Sequence, residues 1–363
     1  MCANHGVHGI LEPEKPVSLS ETVCCWKQFM KQSIIAQATV PDVLRAIYAP
    51  VAAELEQVES ILLDELRSDH PFVDQLVKHG FRLGGKRLRP ALLLLAGKAC
   101  GTLRQEHLVA AAVVELIHTA TLIHDDVLDE ATIRRHLDTI NARWDNEASV
   151  LLGDYLFARS ICLASTLEDH FATKVLSATA KIICEGELRQ IENRGNYNLR
   201  EEQYLSIIGS KTAELMACCC RLGAYYAGAD YDRLEAFRRY GYNLGIAFQI
   251  ADDLLDLLGE ENTVGKSLGT DLLKQKATLP LIRLLDQASP GEKKELLDVL
   301  SASGNHRLDA LQKWFDQSNA ISYARDQALS SVRSALKELG SLPPGPALDS
   351  LHGIAEFVVN RQQ

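Results

Sequence analysis

From Pro41 onward, apolar positions recur every third or fourth residue almost without interruption, the period of a helix with one buried face. Residues 43–66 show the pattern plainly, with Leu55, Val58, Ile61, Leu62 and Leu66 on one stripe. Residues 107–130 are apolar nearly all round, which predicts a helix inside a bundle and not on its surface. Further long helices are predicted over 148–167, 171–191, 200–228, 233–258, 277–285 and 308–339. Strand signals are scarce and no alternating hairpin is evident. Breaks fall at 259–269 and at the Pro-rich 341–346, before a last helix ending near Arg361. Composition does not shift after residue 40, so the pattern implies one all-α domain over 41–363. We expect a bundle of long antiparallel helices around a deep central cavity. Residues 1–40 mix Gly, His, Pro and paired Cys without a strong period. They are expected to form a poorly ordered extension, with a short helix near 20–31 as the alternative.

Composition narrows the function more than the fold. The 363 residues are 47% hydrophobic and 24% charged, enough for a sizeable core and unlike a disordered chain. A formal charge of −10 argues against a general nucleic-acid binder, which needs a basic surface. Nine cysteines show no metal-ligand spacing and read as reduced, mostly buried thiols of a cytoplasmic protein. The apolar runs at 91–97 and 108–116 are too short or interrupted to span a bilayer, and the N-terminus lacks a signal-peptide layout. The expectation is no transmembrane segment.

Against that background two acidic clusters stand out: His124, Asp125, Asp126, Val127, Leu128, Asp129, and Ala251, Asp252, Asp253, Leu254, Leu255, Asp256. Each sets carboxylates at i, i+1 and i+4 in an apolar run, so the first and last share a helical face. Asp disfavours helix interiors and is costly to bury charged. Two such clusters facing one cavity call for cations. All-oxygen ligands suit a hard ion, and Mg²⁺ usually binds through one or two carboxylates plus substrate phosphates. A basic set accompanies them. Gly84, Gly85, Lys86, Arg87, Leu88, Arg89 and Pro90 combine free backbone with three cations at a helix start, an anion site in outline. Arg134 and Arg135 follow the first cluster, Lys211 and Thr212 interrupt a helix rich in Ala, Leu and Cys, and Lys266 follows the second cluster between Gly265 and Gly269. Gln249, Asp252 and Asp256 share one helical face, as do His118, Asp125 and Asp129.

Taken in this order and spacing, these motifs resemble the trans-isoprenyl diphosphate synthases, and within them the long-chain polyprenyl diphosphate synthases, from about residue 45 to the C-terminus. The resemblance implies the isoprenoid synthase fold, usually as a homodimer, and head-to-tail coupling of isopentenyl diphosphate to an allylic diphosphate. It implies Asp125, Asp129 and Asp252 as principal Mg²⁺ ligands, with Asp126, Asp253 and Asp256 close by. Arg134, Lys211 and Lys266 would hold the allylic diphosphate. Lys86, Arg89, His118 and Arg135 would hold the isopentenyl diphosphate, with backbone from Gly85, and Lys276 would join the substrate-binding set. Thr212 and Gln249 would line the reaction centre. The released pyrophosphate is the expected proton acceptor, with Glu192 or His124 as alternatives.

Positions four and five before Asp125, Thr121 and Ala120, lie about one turn (~5.4 Å) deeper along the helix. Both are small where short-chain members carry aromatics, and Ile117 continues the stripe. This favours a hexaprenyl to decaprenyl product, of the kind that becomes a quinone side chain, with peripheral membrane contact for its release. A short-chain (farnesyl or geranylgeranyl) synthase, a class I cyclase or head-to-head enzyme, and a non-catalytic length-setting subunit of a heteromer are the alternatives. The chain departs from the family pattern at His136, Leu137, Asp138, where Gly-basic-Pro is usual, and at Gln275, where Gly is common. The His136 loop puts loop closure and substrate preference in question; Gln275 reads as a minor change.

Overall fold

The computed structural model describes residues 40–82, 85–258, 269–301 and 307–360. The chain divides into a short unit, 1–46, and a large one, 47–363. Of the first, only the start of helix α1 (Val40–Tyr48) is described. The N-terminal extension, Gly84, and most of the 259–269 break, including Gly265 and Lys266, lie outside the described residues.

The large unit is helical nearly throughout. A 3₁₀ turn at Ala49–Val51 leads into α2 (Ala52–Glu65). The single helix expected over 43–66 is thus two, because Pro50 lacks an N–H and clashes with the preceding turn. Then come α3 (Pro71–Arg82), α4 (Leu88–Cys100) and α5 (Gln105–Leu128). A two-stranded hairpin, β1 (Ile133–Arg134) and β2 (Leu137–Asp138), follows, pairing Ile133 with Asp138 and Arg134 with Leu137. The short α6 (Ile140–Arg143) leads to α7 (Asn146–Ala164) and α8 (His170–Glu192). Asp145 and Asp169 cap α7 and α8 by accepting backbone N–H bonds, as N-cap carboxylates do.

The helix expected over 200–228 is α9 (Glu201–Ile208), a π-turn (Gly209–Ala213) and α10 (Glu214–Tyr226) in one run. After it stand α11 (Tyr231–Leu258), α12 (Thr270–Leu273), α13 (Leu279–Gln287), α14 (Pro290–Ser301), α15 (Arg307–Gln317), α16 (Ala320–Glu338) and α17 (Pro346–Asn360).

Helix α5 runs through the main core, with Ala110, Ala111, Ala112, Val113, Val114 and Leu116 all inaccessible or nearly so. It packs chiefly against α7, while α11 packs against α10 and α16. By length and composition α5 is the one described helix able to cross a bilayer, but 72% of its most apolar window is buried within the bundle. That is the signature of a core helix, as its all-round apolarity predicted. The two acidic clusters close the C-terminal ends of α5 and α11.

Candidate active site

The first cluster splits by direction. Asp125 and Asp129 share a face, and each meets cations from other elements. Lys211 Nζ lies 3.7 Å from Asp125. Asp129 is ringed by Lys274 Nζ at 3.2 Å, Lys276 Nζ at 3.2 Å and Arg194 at 3.8 Å. Asp126 turns away. It is 2% exposed and accepts from Arg134 Nε at 2.9 Å and from its terminal nitrogen at 2.8 Å. Asp126 therefore ties the hairpin to α5.

The second cluster splits likewise. Asp253 is buried and accepts from Tyr204 Oη at 2.7 Å and Gln249 Nε2 at 2.8 Å. Asp256 accepts from Thr270 Oγ1 at 2.6 Å and the Asp271 N–H at 3.0 Å, fixing the start of α12. Asp252 is half-buried and interacts electrostatically with Arg89. The segment from Thr270 to Lys276 joins the two clusters, since it is bonded to Asp256 at one end and to Asp129 at the other.

Burial and charge tune these groups in opposite senses. Burial pushes Asp125 up to about 6 against the pull of Lys211. Burial also acts to raise Asp129, but Lys276, Lys274 and Lys211 together outweigh it and hold that carboxyl below its ordinary range. Lys211 is buried too, which alone would lower it, yet Asp125 and Glu187 raise it above the usual lysine value. Its ammonium forms an ion pair with Glu187, so it is held as a fixed cation.

The π-turn explains why Lys211 and Thr212 face inward together. One extra residue per turn re-aims the side chains, a device common at functional sites. Close neighbours hold the turn in place. A Cβ on Gly186 of α8 would lie 2.7 Å from Ser210 Cβ and 2.9 Å from the Lys211 nitrogen. Gly245 of α11 faces Ala213 as tightly, at 2.8 Å from its Cβ. Thr212 Oγ1 donates to Gln249 Oε1 at 2.8 Å. The chain Thr212, Gln249, Asp253, Tyr204 thus fixes both amide ends of Gln249. These side chains, with Lys211 and Lys276, line a cleft of about 610 Å³ counting its open mouth.

A second anion-handling set lies at the start of α4. Arg89 donates to His118 Nε2 at 2.8 Å, so that nitrogen accepts and the imidazole is neutral with its proton on Nδ1. Burial first, then Arg89, Arg135, Arg134 and Arg87, keep His118 well below the usual histidine value. Arg89 Nε is buried without a hydrogen-bond partner. A buried, orphaned guanidinium donor is costly unless a ligand completes it. Gly85 leaves room for the Arg135 guanidinium, which a side chain there would overlap. Lys86 lies over the Phe357 ring of α17 at 5.4 Å.

Other expected positions fall differently. Ala120 and Ile117 are buried in the main core, 2% and 5% exposed, and Thr121 is half-buried with its hydroxyl on the His118 carbonyl. His124 faces α7, 3.2 Å from the Val150 carbonyl oxygen, and Glu192 is exposed. The hairpin was not expected because its turn residues, Arg135 and His136, are not the Gly or Asn that mark such turns. Both nonetheless adopt positive φ, 51° and 62°. Gln275 does too, at 56°, a conformation that Gly would adopt with less strain. Glu187, Arg194, Tyr204, Asp271 and Lys274 were not anticipated. Only Glu187 and Lys274 had a signal, as charges one residue from Gly186 and two from Lys276.

Among the described residues no three carboxylates, imidazoles or thiols converge as a protein-only metal site would require. The donor set does fit an ion shared with a substrate. Asp125 and Asp129 are oxygen donors one turn apart, now neutralised by ammonium groups, and Mg²⁺ characteristically takes one or two carboxylates plus phosphate oxygens.

An all-helical bundle with two separate anion-handling sets at one end of its central helices suits the isoprenoid synthase fold, and the relatives place the chain among the prenyltransferases of that fold. Residues 70–317 match the polyprenyl synthetase family model, and the chain belongs to that family. It is 33% identical over 321 residues to octaprenyl diphosphate synthase of Escherichia coli, covering 88% of this chain and 99% of the relative. Among solved structures it resembles a decaprenyl diphosphate synthase from Rhodobacter capsulatus, with TM-score 0.83, 34% identity and coverage of 88% and 99%. It equally resembles a polyprenyl synthase from Caulobacter crescentus complexed with calcium and isoprenyl diphosphate, with TM-score 0.83, 34% identity and coverage of 88% and 98%.

Proposed function

We propose that this chain extends an allylic diphosphate by head-to-tail addition of isopentenyl diphosphate, with Mg²⁺, to a long all-trans product. The observation that carries the reading is the orphaned Arg89 Nε beside a neutral His118, a second anion site distinct from the lysines around Asp125 and Asp129. Two diphosphates need two such sites, and a cyclase needs one.

In this reading Lys211, Lys266 and Arg134 hold the allylic diphosphate, with Lys276 joining them, and Lys86, Arg89, His118, Arg135 and the Gly85 backbone hold the isopentenyl diphosphate. Asp125, Asp129 and Asp252 are the Mg²⁺ ligands. Asp126, Asp253 and Asp256 act through Arg134, Gln249 and Thr270 instead, since their oxygens are engaged there. When bound, Mg²⁺ supplies positive charge to the departing pyrophosphate. The allylic C–O bond breaks heterolytically and its electron pair leaves with pyrophosphate, whose charge Lys211 and Lys276 offset. The isopentenyl double bond forms the new C–C bond at the allylic carbon, and the proton then lost passes to pyrophosphate. Thr212 and Gln249, locked by Asp253 and Tyr204, shape the space beside that carbon. No protein general base is required.

Small residues at Ala120 and Thr121, and relatives named for eight- and ten-unit products, support a hexaprenyl to decaprenyl product suited to quinone side chains. Such a chain needs contact with a membrane on release. A homodimer is supported by α7, where Val150, Leu151, Phe157 and Ile161 form an exposed stripe, Leu151 at 67% and Ile161 at 52%. Exposed apolar side chains gathered on one helix, here interrupted by Asp154, are consistent with a protein interface.

Purified protein given Mg²⁺, labelled isopentenyl diphosphate and farnesyl or geranylgeranyl diphosphate should yield long prenyl alcohols after dephosphorylation. Products ending at geranylgeraniol would remove the length assignment, and no condensation with any primer would remove the reaction.

A further inference from the structure

The middle cation of the run Lys86, Arg87, Leu88, Arg89 behaves unlike its neighbours. Arg87 adopts φ 51°, ψ 34° at the N-cap of α4, a left-handed conformation that Cβ makes unfavourable for any residue but glycine. Its guanidinium is directed into the protein. Nε forms an ion pair with Glu59 of α2, a terminal nitrogen donates to Glu59 at 3.3 Å, and the other donates to Glu115 of α5 at 2.8 Å. The group also lies over the Phe81 ring of α3, 4.4 Å from its centroid. Arg87 therefore bridges three helices with every face of its fork engaged. Glu115 is 3% exposed, and Arg87 is the cation bonded to it, with Arg89 and Arg135 adding weaker electrostatic compensation of its buried charge.

We propose that Arg87 is a positioning residue for the isopentenyl diphosphate side of the site. The proposal rests on the functional reading above. The left-handed turn at Arg87 sends its own side chain to Glu59 and Glu115, while Lys86 lies over Phe357 and Arg89 reaches His118. Glu115 and His118 are one turn apart on α5, so that helix grips the turn twice, through Arg87 and through Arg89. Without the inner grip the backbone relaxes from the left-handed state and the aim of Arg89 Nε is lost. A lysine replaces this arginine poorly, because a point ammonium lacks the planar fork through which Arg87 makes two bonds to Glu59 and one to Glu115.

The test is titration of isopentenyl diphosphate, without primer, into wild type, Arg87→Met, Arg87→Lys and Glu59→Gln, with steady-state KM for each substrate and melting temperature alongside. At metal sites, removing a group that orients a ligating side chain weakens binding about ten-fold or more, and an effect of the same order is expected here. Arg87→Met should therefore raise Kd and KM for isopentenyl diphosphate by about ten-fold while KM for the allylic substrate moves less than about two-fold. Arg87→Lys should lie nearer Arg87→Met than wild type. Glu59→Gln, which loosens only the half-exposed outer pair and leaves Glu115 compensated, should shift the same constant in the same direction by about three-fold.

If Arg87→Met does not fold, Arg87→Lys and Glu59→Gln carry the decision. Folded variants with wild-type Kd, or with both KM values rising together, overturn the clamp and leave the functional reading intact. Wild-type protein that binds no isopentenyl diphosphate overturns both.

Discussion

Gly245→Ala tests whether the fit of α11 against the π-turn serves catalysis and not only stability. The added Cβ would lie 2.8 Å from Ala213 Cβ and 3.3 Å from the Ala213 nitrogen, and nearer still to its Cα. Ordinary contact needs 3.4–4 Å, and no flexible side chain stands there to give way. Two backbones must therefore part by roughly 1 Å in a close-packed interior. Overpacking of this kind costs about 1–3 kcal/mol. One turn further along α11, Gln249 accepts from Thr212 at 2.8 Å, and a displacement of roughly 1 Å takes that bond past hydrogen-bonding distance. Losing a buried hydrogen bond adds about 1 kcal/mol, and a 1 Å misplacement at a reaction centre slows turnover by about 100-fold.

Gly241→Ala is the matched control. It lies one turn earlier on the same helix, its Cβ would meet Ala217 Cα at 2.8 Å, and it should cost similar stability with far less activity. Gly291→Ala, with nothing within 4 Å, should cost neither. The assay is thermal melting paired with kcat for chain extension below the melting transition. A Gly245→Ala protein that melts lower yet turns over at the wild-type rate would refute the argument. So would a Gly241→Ala protein that loses as much kcat as Gly245→Ala.

Three further outcomes are expected. Asp125→Asn should remove a carboxylate that faces Lys211 without disturbing the core, lowering kcat by about 100-fold or more and raising the Mg²⁺ needed for half-activity; unchanged metal dependence would count against Asp125 as a ligand. His118 titrates below its unfolded value because of burial and then the surrounding arginines. As pH falls below the unfolded histidine pKa of about 6.5, the unfolded chain takes up a proton that the native state refuses, so the stability this group contributes is complete above that pH and declines below it. Melting curves of His118→Gln should lose less between pH 7 and pH 5 than wild type does, and parallel losses would contradict the assignment. His136→Gly and Gln275→Gly relieve left-handed strain at φ 62° and 56°, and each should change stability by between zero and about +1 kcal/mol once the greater freedom of the unfolded glycine is subtracted; a fall in melting temperature for either would mean that the native side chain makes a compensating contact.

The strained positions also explain which parts of this molecule were legible in its sequence. Helix periodicity, all-round apolarity of α5, and paired carboxylates one turn apart are local signals, and the bundle and its two acidic ends were readable from them. What escaped was of two kinds. Partners such as Glu187, Arg194, Tyr204 and Lys274 act through pairs that join distant elements, as Tyr204 with Asp253 and Lys274 with Asp129, and no local spacing marks them. The hairpin, the Arg87 turn and the Gln275 turn were hidden for the opposite reason: there the local signal points the wrong way. Among the described residues the non-glycine positions at positive φ are Arg87, Glu130, Arg135, His136 and Gln275. Every one lies in a loop that carries or adjoins a candidate site residue. Propensity and fold disagree where a functional site imposes a conformation that the rest of the structure must hold. At Arg87 that hold is visible, in two carboxylates from two helices. At Gln275 it is the adjoining backbone, whose carbonyl accepts from the Gly195 N–H at 2.8 Å, that keeps Lys274 and Lys276 both turned to Asp129.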